Sequence, residues 1–220
     1  MLTLAIDTST SVLSVALIKE NDVLITINEQ TKNNQSEILM TRIQQALKSC
    51  DILPTSLKKI AVAIGPGSYT GVRVGVTVAK SLGYALNVPV IGVSSLEILA
   101  AASKKDGLVV ALIDARRETV FAAGYENGEI IIQEGHYELK ELCGKFGKKS
   151  PTFVTDKVDV HREIIHSILP NAQVLDETEI QIAKAEILAE LSENKEPVAN
   201  IHELVPQYLR KTEAEVNARV

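Results

Sequence analysis

The segment of residues 60–93, IAVAIGPGSYTGVRVGVTVAKSLGYALNVPVIGV, determines the fold that the rest of the chain completes. It begins with an apolar run rich in β-branched residues, 60–64, which a Gly-Pro-Gly turn follows. A helix-like stretch at about residues 69–86 comes next, and a second apolar run, 88–93, ends the segment. This order predicts a strand, a turn, a helix and a second strand, with the two strands buried and paired in parallel.

The predicted helix carries small residues at every fourth position, namely Gly71, Gly75, Ala79 and Gly83. At about 100° per residue, these positions form a shallow groove with apolar residues on both banks. Each interior glycine costs the helix about 1 kcal/mol relative to alanine, so the groove predicts a very close approach by another backbone. Two interpretations are open: the helix packs between its own sheet and a neighbouring helix, or the groove is accessible to another chain.

The glycine turn before this helix invites comparison with a phosphate-binding loop, because backbone N–H groups at a helix N-terminus attract anions. However, residues 65–71, GPGSYTG, fit neither G-x-x-x-x-G-K-[ST] nor G-x-G-x-x-G, and Pro66 has no N–H group to donate. The surroundings of Ser68 do not match the G-x-S-x-G pattern of a serine nucleophile. The turn therefore predicts neither a nucleotide-binding motif nor a serine hydrolase.

Length and composition favour a sheet covered by helices. The 220 residues suffice for one sizeable domain or two small ones, and 45% are hydrophobic while only 4% are aromatic. No apolar run reaches the length of a membrane span.

Two features of the sequence indicate where the protein is found. Residues 1–7, MLTLAID, lack the basic leader of a secretory signal. Cys50 and Cys143 lie far apart, as in a protein of a reducing compartment. We therefore expect a cytoplasmic protein.

The charge of the chain argues against direct binding to nucleic acid. Its formal net charge is −5, whereas affinity for nucleic acid comes mostly from lysines and arginines that neutralise phosphates. The lysines between residues 140 and 149 are interpreted as a solvated face. If a nucleic acid is involved, we expect another protein to hold it.

The first half, residues 1–103, is predicted to read βββαβα with one further strand. Strands are predicted at 2–7, 12–18 and 23–27, and a helix with Ser36 as its N-cap is predicted to run through Lys48. The segment 60–93 follows, and a short helix from Ser94 or Ser95 to Ala102 ends this half.

The second half, residues 104–220, repeats the pattern after a turn-like linker. We predict strands at 108–114, 119–125, 129–135, 152–155 and 173–175, and helices at 138–146, 160–169 and 179–193. Residues 4–7, LAID, and 111–114, ALID, end the first strand of each half alike. The sequence therefore predicts an internal duplication, followed by a tail from about residue 200 that packs back on the domain.

Two βββαβα halves, each with an aspartate at the end of its first strand, form the layout of the actin-like ATPase superfamily, a duplicated ribonuclease H-like fold of the α/β class. In that superfamily these acids and the turns after them face a nucleotide between the halves. Candidate residues of a vestigial nucleotide site are therefore Asp7, Thr8, Ser9 and Asp114. The alternative is that each aspartate caps a turn, with Arg116 and Arg117 pairing with Asp114 at the surface.

Four segments, in this order and spacing, resemble the bacterial TsaB (YeaZ) family: IDTS at 6–9, GPGSYTGVR at 65–73, IDAR at 113–116 and QYLR at 207–210. The resemblance implies a non-catalytic scaffold subunit of the machinery that makes N6-threonylcarbamoyladenosine at position 37 of tRNAs reading ANN codons. It implies pairing through the N-terminal half with TsaD, the catalytic paralogue, and a homodimer in its absence. The ATPase TsaE would join that pair, and tRNA would be met only through the complex.

Under this interpretation the small-residue groove docks the equivalent helix of TsaD or of a second copy, driven by close packing and apolar burial. Tyrosine and arginine side chains would rim the contact. The predicted interface residues are Tyr69, Gly71, Val72, Arg73, Gly75, Val76, Ala79, Lys80, Gly83 and Tyr84. Gly75→Leu or Val76→Glu is then expected to abolish dimerisation while leaving the fold mostly intact.

The residues also favour a chain without a metal centre. Where the TsaD family carries H-x-x-x-H, this chain has Ser95 and Leu99, which cannot replace two imidazoles as ligands of iron or zinc. Many TsaB members have a histidine before the Ser-Glu pair of the first helix, whereas this chain has Gln35. All four histidines lie in the second half and are interpreted as surface residues: His136, His161, His166 and His202.

We therefore expect no catalytic residue, no metal and no cofactor, apart from ATP or ADP bound weakly or at the interface with TsaD. The competing hypothesis is an actin-like ATPase or small-molecule kinase in which Asp7 or Asp114 organises Mg²⁺ and phosphate. A third, peptidase activity, lacks support because neither a metal pair nor a Ser/His/Asp arrangement is recognisable.

Overall fold

The computed structural model describes residues 1–31, 34–147, 149–176 and 184–209, and it contains two five-stranded sheets with their helices. The strands are β1 Leu2–Asp7, β2 Val12–Lys19, β3 Asp22–Gln30, β4 Lys59–Ala63, β5 Val90–Val93, β6 Val109–Asp114, β7 Thr119–Glu126, β8 Glu129–Glu138, β9 Thr152–Thr155 and β10 Gln173–Asp176. The helices are α1 Gln35–Ser49, α2 Tyr69–Leu86, α3 Ser95–Ala102, α4 Leu139–Gly144, α5 Val158–Ile168 and α6 Lys184–Ser192. None of these helices is long and apolar enough to cross a membrane.

The two sheets have the same topology, which confirms the predicted duplication. The first has the strand order β3-β2-β1-β4-β5 and the second β8-β7-β6-β9-β10. In each, the first strand pairs antiparallel with the second and parallel with the strand that follows the first helix. The fold is therefore α/β and duplicated, of the actin-like type.

The segment 60–93 forms the predicted unit. Strands β4 and β5 pair in parallel, with Ile60 opposite Val90, and helix α2 has the predicted bounds. The hydroxyl of Ser68 accepts a hydrogen bond from the N–H of Gly71 and so caps the start of α2. Asn87 ends the helix in the left-handed conformation, and its N–H donates to carbonyls of the last turn.

The chain divides into two compact units that differ from the predicted halves. Unit 1 comprises Met1–Ile98 and the described part of Gln181–Pro206, whereas unit 2 comprises the described parts of Leu99–Ile180 and Gln207–Val220. The second half was predicted to be continuous, but helix α6 near its end packs on β1 and β2 of unit 1. The N–H of Ala185 donates to the hydroxyl of Ser14, and Glu193 pairs with the buried ammonium of Lys59. Helix α6 covers the face of the first sheet that α1 and α2 leave open, and this explains why the helix belongs to unit 1.

The core of unit 1 lies between one sheet face and helices α1 and α2. Alternate strand residues such as Leu4 and Ile6 point into it, where they meet Leu39 of α1 and Val76 of α2. The core of unit 2 is arranged in the same way, with Phe153 of β9 fully buried beneath α4 and α5. Burial of these apolar side chains is the main favourable term in forming each unit.

Some predicted helix boundaries differ from the observed ones. Helix α1 begins at Gln35, so Ser36 lies inside it, and Asn34 occupies the N-cap position without a side-chain cap bond. Helix α6 begins at Lys184, and residues 179–183 of the predicted helix lie outside the described residues. Lys148 of the lysine cluster and Arg210 of the QYLR segment lie outside them as well.

Candidate partner-binding face and the Asp7 turn

The small-residue side of α2 faces the chain itself. A Cβ atom added to Gly71 would lie 2.1 Å from the carbonyl oxygen of Thr8, and one added to Gly75 would lie 2.4 Å from the Thr8 hydroxyl. At Gly83 it would meet Val90 at 2.3 Å and Ile201 at 2.8 Å. The close approach that the glycines predict therefore takes place within unit 1, which supports the first of the two interpretations of the groove.

This orientation corrects the predicted interface. Buried residues of α2 cannot form the accessible surface of a groove, and this applies to Gly71, Val72, Gly75, Val76, Ala79 and Gly83. It also corrects the expectation for Gly75→Leu and Val76→Glu. The first would force a side chain into Thr8 and Val62, and the second would bury an unpaired carboxylate, so both are expected to damage the fold.

The opposite side of α2 is exposed and almost uncharged. Tyr69 is 52% and Tyr84 72% exposed, and the guanidinium carbon of Arg73 lies 3.8 Å from the centre of the Tyr69 ring. This cation–π contact holds two large side chains together at the first turns of the helix. Arg73 and Lys80 are the only charged residues of α2, and both are basic.

Helix α1 packs beside α2 and covers the same face of the first sheet, so their outward sides form one surface. Its outward side contributes the exposed Met40, Thr41 and Gln44, with the exposed charges of Glu37 and Lys48 in its first and last turns. We call this surface the docking face and define it by the exposed residues Met40, Thr41, Gln44, Tyr69, Arg73, Thr77 and Ser81.

The C-terminal part of α2 already has a partner within unit 1. The ammonium of Lys80 donates hydrogen bonds to the carbonyl oxygens of His202 and Leu204, at 3.0 and 2.9 Å. The Tyr84 and His202 rings lie 5.9 Å apart. The predicted interface residue Lys80 therefore holds the segment of residues 201–204, whereas Tyr84 keeps most of its surface exposed.

The last residue of β1 and the three residues after it form a buried polar turn, residues 7–10, which we call the Asp7 turn. Oδ1 of Asp7 accepts hydrogen bonds from the N–H of Ser9 at 2.8 Å and from its hydroxyl at 2.6 Å. Oδ2 is buried and has no hydrogen-bond partner among the residues that the structure describes. Asp7 and Thr8 are fully buried, and Ser9 and Thr10 nearly so. The aspartate thus caps its own turn, as the alternative interpretation predicts.

Asp114, the counterpart of Asp7 in unit 2, also caps a turn. Its Oδ1 accepts a hydrogen bond from the backbone N–H of Arg116 at 3.0 Å, and its own N–H donates to Oδ1 of Asp156 at 2.9 Å. The predicted surface contact with Arg116 is thus made by the backbone and not by the guanidinium. The structure describes Asp7 and Asp114 each within its own unit.

One histidine is not the surface residue that we predicted. His161 is 1% exposed, because the first turns of α5 place it over the ends of β6 and β9. Its Nδ1 shares a hydrogen bond with the Thr155 hydroxyl, and its Nε2 faces Asp114. Within the described ranges no three histidine, cysteine, aspartate or glutamate side chains form a group that could hold a metal ion. Ser95 and Leu99 are both buried.

Sequence reasoning missed Gln35 and Lys184, whose side chains both reach the Asp7 turn. In the sequence Gln35 marks only a departure from a family pattern, and Lys184 lies 174 residues from its partner Thr10. No local pattern marks either contact. Both depend on tertiary packing, which one sequence does not reveal.

Comparison with known proteins gives consistent matches over most of the chain. A family model described as TsaD, tRNA N6-adenosine threonylcarbamoyltransferase, matches residues 26–218. The tRNA threonylcarbamoyladenosine biosynthesis protein TsaB of Bacillus subtilis is 38% identical over 222 residues, covering 98% of this chain and 96% of that protein. The Escherichia coli protein of the same name is 36% identical over 158 residues, covering 65% of this chain and 68% of that protein.

Solved structures agree with these matches. YeaZ from Pseudomonas aeruginosa superposes with a TM-score of 0.76 at 26% identity, covering 94% of this chain and 99% of that one. A ROK hexokinase from Thermus thermophilus gives a TM-score of 0.52 at 11% identity, covering 88% of this chain and 99% of that one. The second likeness extends to the fold alone.

Proposed function

This chain belongs to the TsaB (YeaZ) family and takes part in tRNA threonylcarbamoyladenosine biosynthesis, and we propose that it does so as a non-catalytic scaffold subunit. Its partner in this proposal is TsaD, which carries out the transfer to position 37 of tRNAs that read ANN codons. In the absence of TsaD the same surface pairs with a second copy. TsaE joins the TsaB–TsaD pair, and tRNA is bound by the complex in the cytoplasm.

The observation that carries this proposal is the docking face. Its residues are exposed and mostly uncharged, and it carries an aromatic ring stacked with a guanidinium, Tyr69 with Arg73. Interface cores are depleted in lysine and acidic residues and enriched in tyrosine, methionine and arginine. Tyrosine and arginine also dominate the residues whose removal costs most binding energy.

The non-catalytic role is supported by the state of the two strand-end acids. Oδ1 of Asp7 and Oδ1 of Asp114 both accept hydrogen bonds within their own turns. Around His161, the buried Thr155 hydroxyl has no route to a substrate, so this cluster does not form a usable nucleophile. In this proposal the chain supplies a surface, and the chemistry belongs to TsaD.

The test is light scattering after size-exclusion chromatography, on the chain alone and mixed with TsaD from the same organism. Wild type is expected to form a homodimer that gives way to a one-to-one pair. Tyr69→Ala and Arg73→Glu should weaken both species, because they remove the stacked pair from the docking face. Arg117→Glu, the same charge change on an exposed turn of unit 2, is the matched control and should behave as wild type. Normal pairing by folded Tyr69→Ala and Arg73→Glu proteins would refute the docking face.

A second candidate function is nucleotide binding at the Asp7 turn, and one observation favours it. Oδ2 of Asp7 is buried and has no partner among the described residues, as expected for a carboxylate oxygen that coordinates a cation. Against it, the hydroxyls of Thr8 and Ser9 are already hydrogen-bonded within unit 1. Calorimetric titration with Mg-ATP and Mg-ADP, on the chain alone and on its pair with TsaD, tests this. Heat of binding that Asp7→Ala abolishes would establish the nucleotide site.

A further inference from the structure

Three helices of unit 1 contact the Asp7 turn. From α1, the side-chain amide of Gln35 donates to the carbonyl oxygen of Thr10 at 3.1 Å. From α6, the ammonium of Lys184 donates to the Thr10 hydroxyl at 2.6 Å. From α2, the carbonyl oxygen of Gly71 accepts a hydrogen bond of 2.7 Å from the Thr8 hydroxyl. The polar groups of the turn are therefore bound by protein on several sides.

The contact between the turn and α2 leaves no room for even one methyl group. The N–H of Ser68, just before the helix, donates to the carbonyl oxygen of Ser9 at 2.7 Å. A Cβ on Gly67 would come within 2.2 Å of that same oxygen, and the distances at Gly71 and Gly75 are equally short. Because Gly67 and Gly71 have no side chain, the backbone of the turn can pack directly against them. A shift of the turn must therefore move the first turns of the helix.

These first turns carry Tyr69 and Arg73, and the first residue of α1 is Gln35. The two helices that form the docking face are therefore fixed to one buried turn on the inner side of that face. Oδ1 of Asp7 holds the turn in shape through its two bonds from Ser9. Nothing in the turn is exposed enough to touch a partner directly, so any influence on binding must pass through the helices.

We propose that Thr8 and Gln35 are positioning residues of the docking face: they fix α1 and α2 in the relative placement that a partner recognises. This inference rests on the proposed function, since it requires that the docking face binds TsaD. A surface held in its bound arrangement loses less conformational freedom on association, and its shape complementarity is preserved. Loosening either helix should therefore weaken binding without altering any contact residue.

The test compares the affinity for TsaD of the same organism across four variants, measured by calorimetry well below their melting temperatures. Thr8→Val and Gln35→Met each remove one hydrogen bond to the turn at nearly constant volume. Thr155→Val is the matched control, because it removes a hydrogen bond from a threonine that is just as buried but lies in unit 2. We expect Thr8→Val and Gln35→Met to weaken binding about fivefold or more, and Thr155→Val to change it less than about twofold.

The fourth variant, Tyr69→Ala, separates this inference from the function on which it rests. If Tyr69→Ala weakens binding while Thr8→Val and Gln35→Met do not, the docking face stands and the positioning role is refuted. If Tyr69→Ala has no effect either, the docking face itself is refuted. An equal loss in Thr155→Val would reduce the effect to general destabilisation and would also refute the positioning role. If Thr8→Val does not fold, Gln35→Met decides.

Discussion

Nδ1 of His161 lies 2.6 Å from the hydroxyl oxygen of Thr155, and Nε2 on the other side of the ring lies 3.7 Å from Oδ1 of Asp114. One imidazole thus connects the start of α5 to the carboxyl ends of two neighbouring strands. Its burial lowers the pKa of His161 below the ordinary value of 6.5. Asp114 opposes this shift in pKa, whereas the positive charge of Lys157 adds to it.

We expect the free energy of unfolding to decrease as the pH falls below 6.5. The unfolded chain takes up a proton on this imidazole near pH 6.5, whereas the folded chain does so only at lower pH. Between these two values acid favours the unfolded chain, so the stability present above pH 6.5 is lost through this interval. Urea unfolding at pH 7.5 and pH 5.5 measures the loss.

Two variants assign that loss to its source. His161→Gln should show a smaller decrease between the two pH values, because it has no imidazole to protonate. His166→Gln, at an exposed position on the same helix, should decrease as much as wild type. An unchanged decrease in His161→Gln would assign the acid sensitivity to other groups.

Gly71→Ala is expected to destabilise the protein, although alanine is the better helix former by about 1 kcal/mol. The added Cβ would lie 2.1 Å from the Thr8 carbonyl oxygen, which is backbone and cannot rotate away. Overpacking of this kind costs about 1–3 kcal/mol, so we expect a net loss. Gly144→Ala in α4 is the control, since nothing lies within 4 Å of its added Cβ. Thermal unfolding should show a lower Tm for the first and an unchanged or higher Tm for the second.

The two cysteines should differ in reactivity. Cys143 is buried, and desolvation raises the pKa of its thiol to about 11, whereas Cys50 is partly exposed. At pH 8 roughly one Cys143 thiol in a thousand would be ionised, and thiolate is the reactive form. Iodoacetamide followed by mass spectrometry should therefore label Cys50 alone in the folded protein and both residues in urea. Labelling of Cys143 at a comparable rate without denaturant would contradict its burial.

The ion pair between Lys59 and Glu193 should respond unequally to loss of either partner. The Lys59 side chain is only 4% exposed, whereas that of Glu193 is 48% exposed. Glu193→Gln leaves a buried ammonium without its carboxylate, at a cost of about 1–3 kcal/mol. Lys59→Met removes the buried charge itself, so no ammonium is left without a carboxylate. We therefore expect urea unfolding to show a smaller decrease in the free energy of unfolding than for Glu193→Gln. An equal or larger loss in Lys59→Met would show that the pair itself is strongly stabilising.

The segment around α2 shows how much a sequence reveals. Runs of β-branched residues, a Gly-Pro-Gly turn and an amphipathic stretch predicted β4, α2 and β5 in the correct order, because these signals are local. The direction in which the glycines face was not predictable. Both sides of α2 read as apolar or small, and the partner of Gly71 is Thr8, 63 residues away along the chain.

The residues of the candidate site were likewise predictable from local chemistry but not from contacts that are remote in the chain. Tyr69 and Arg73 were predicted as rim residues from their chemistry, and the structure places them on the exposed side, stacked on one another. His161 was misjudged, because its burial comes from strands β6 and β9, which meet only in the folded sheet. The residues that sequence reasoning misassigned are those whose environment is built by contacts remote in the chain.

The packing of α6 on the first sheet also sets an order of events during synthesis. Unit 1 has most of its strands and helices once residue 98 has been made, yet the helix that covers the second face of its sheet ends at Ser192. At about 5–20 residues per second, the ribosome needs roughly 5–20 s to supply it. During that interval the face of the sheet that α6 later covers stays exposed on the nascent chain, so unit 1 completes its packing only after most of unit 2 has been synthesised.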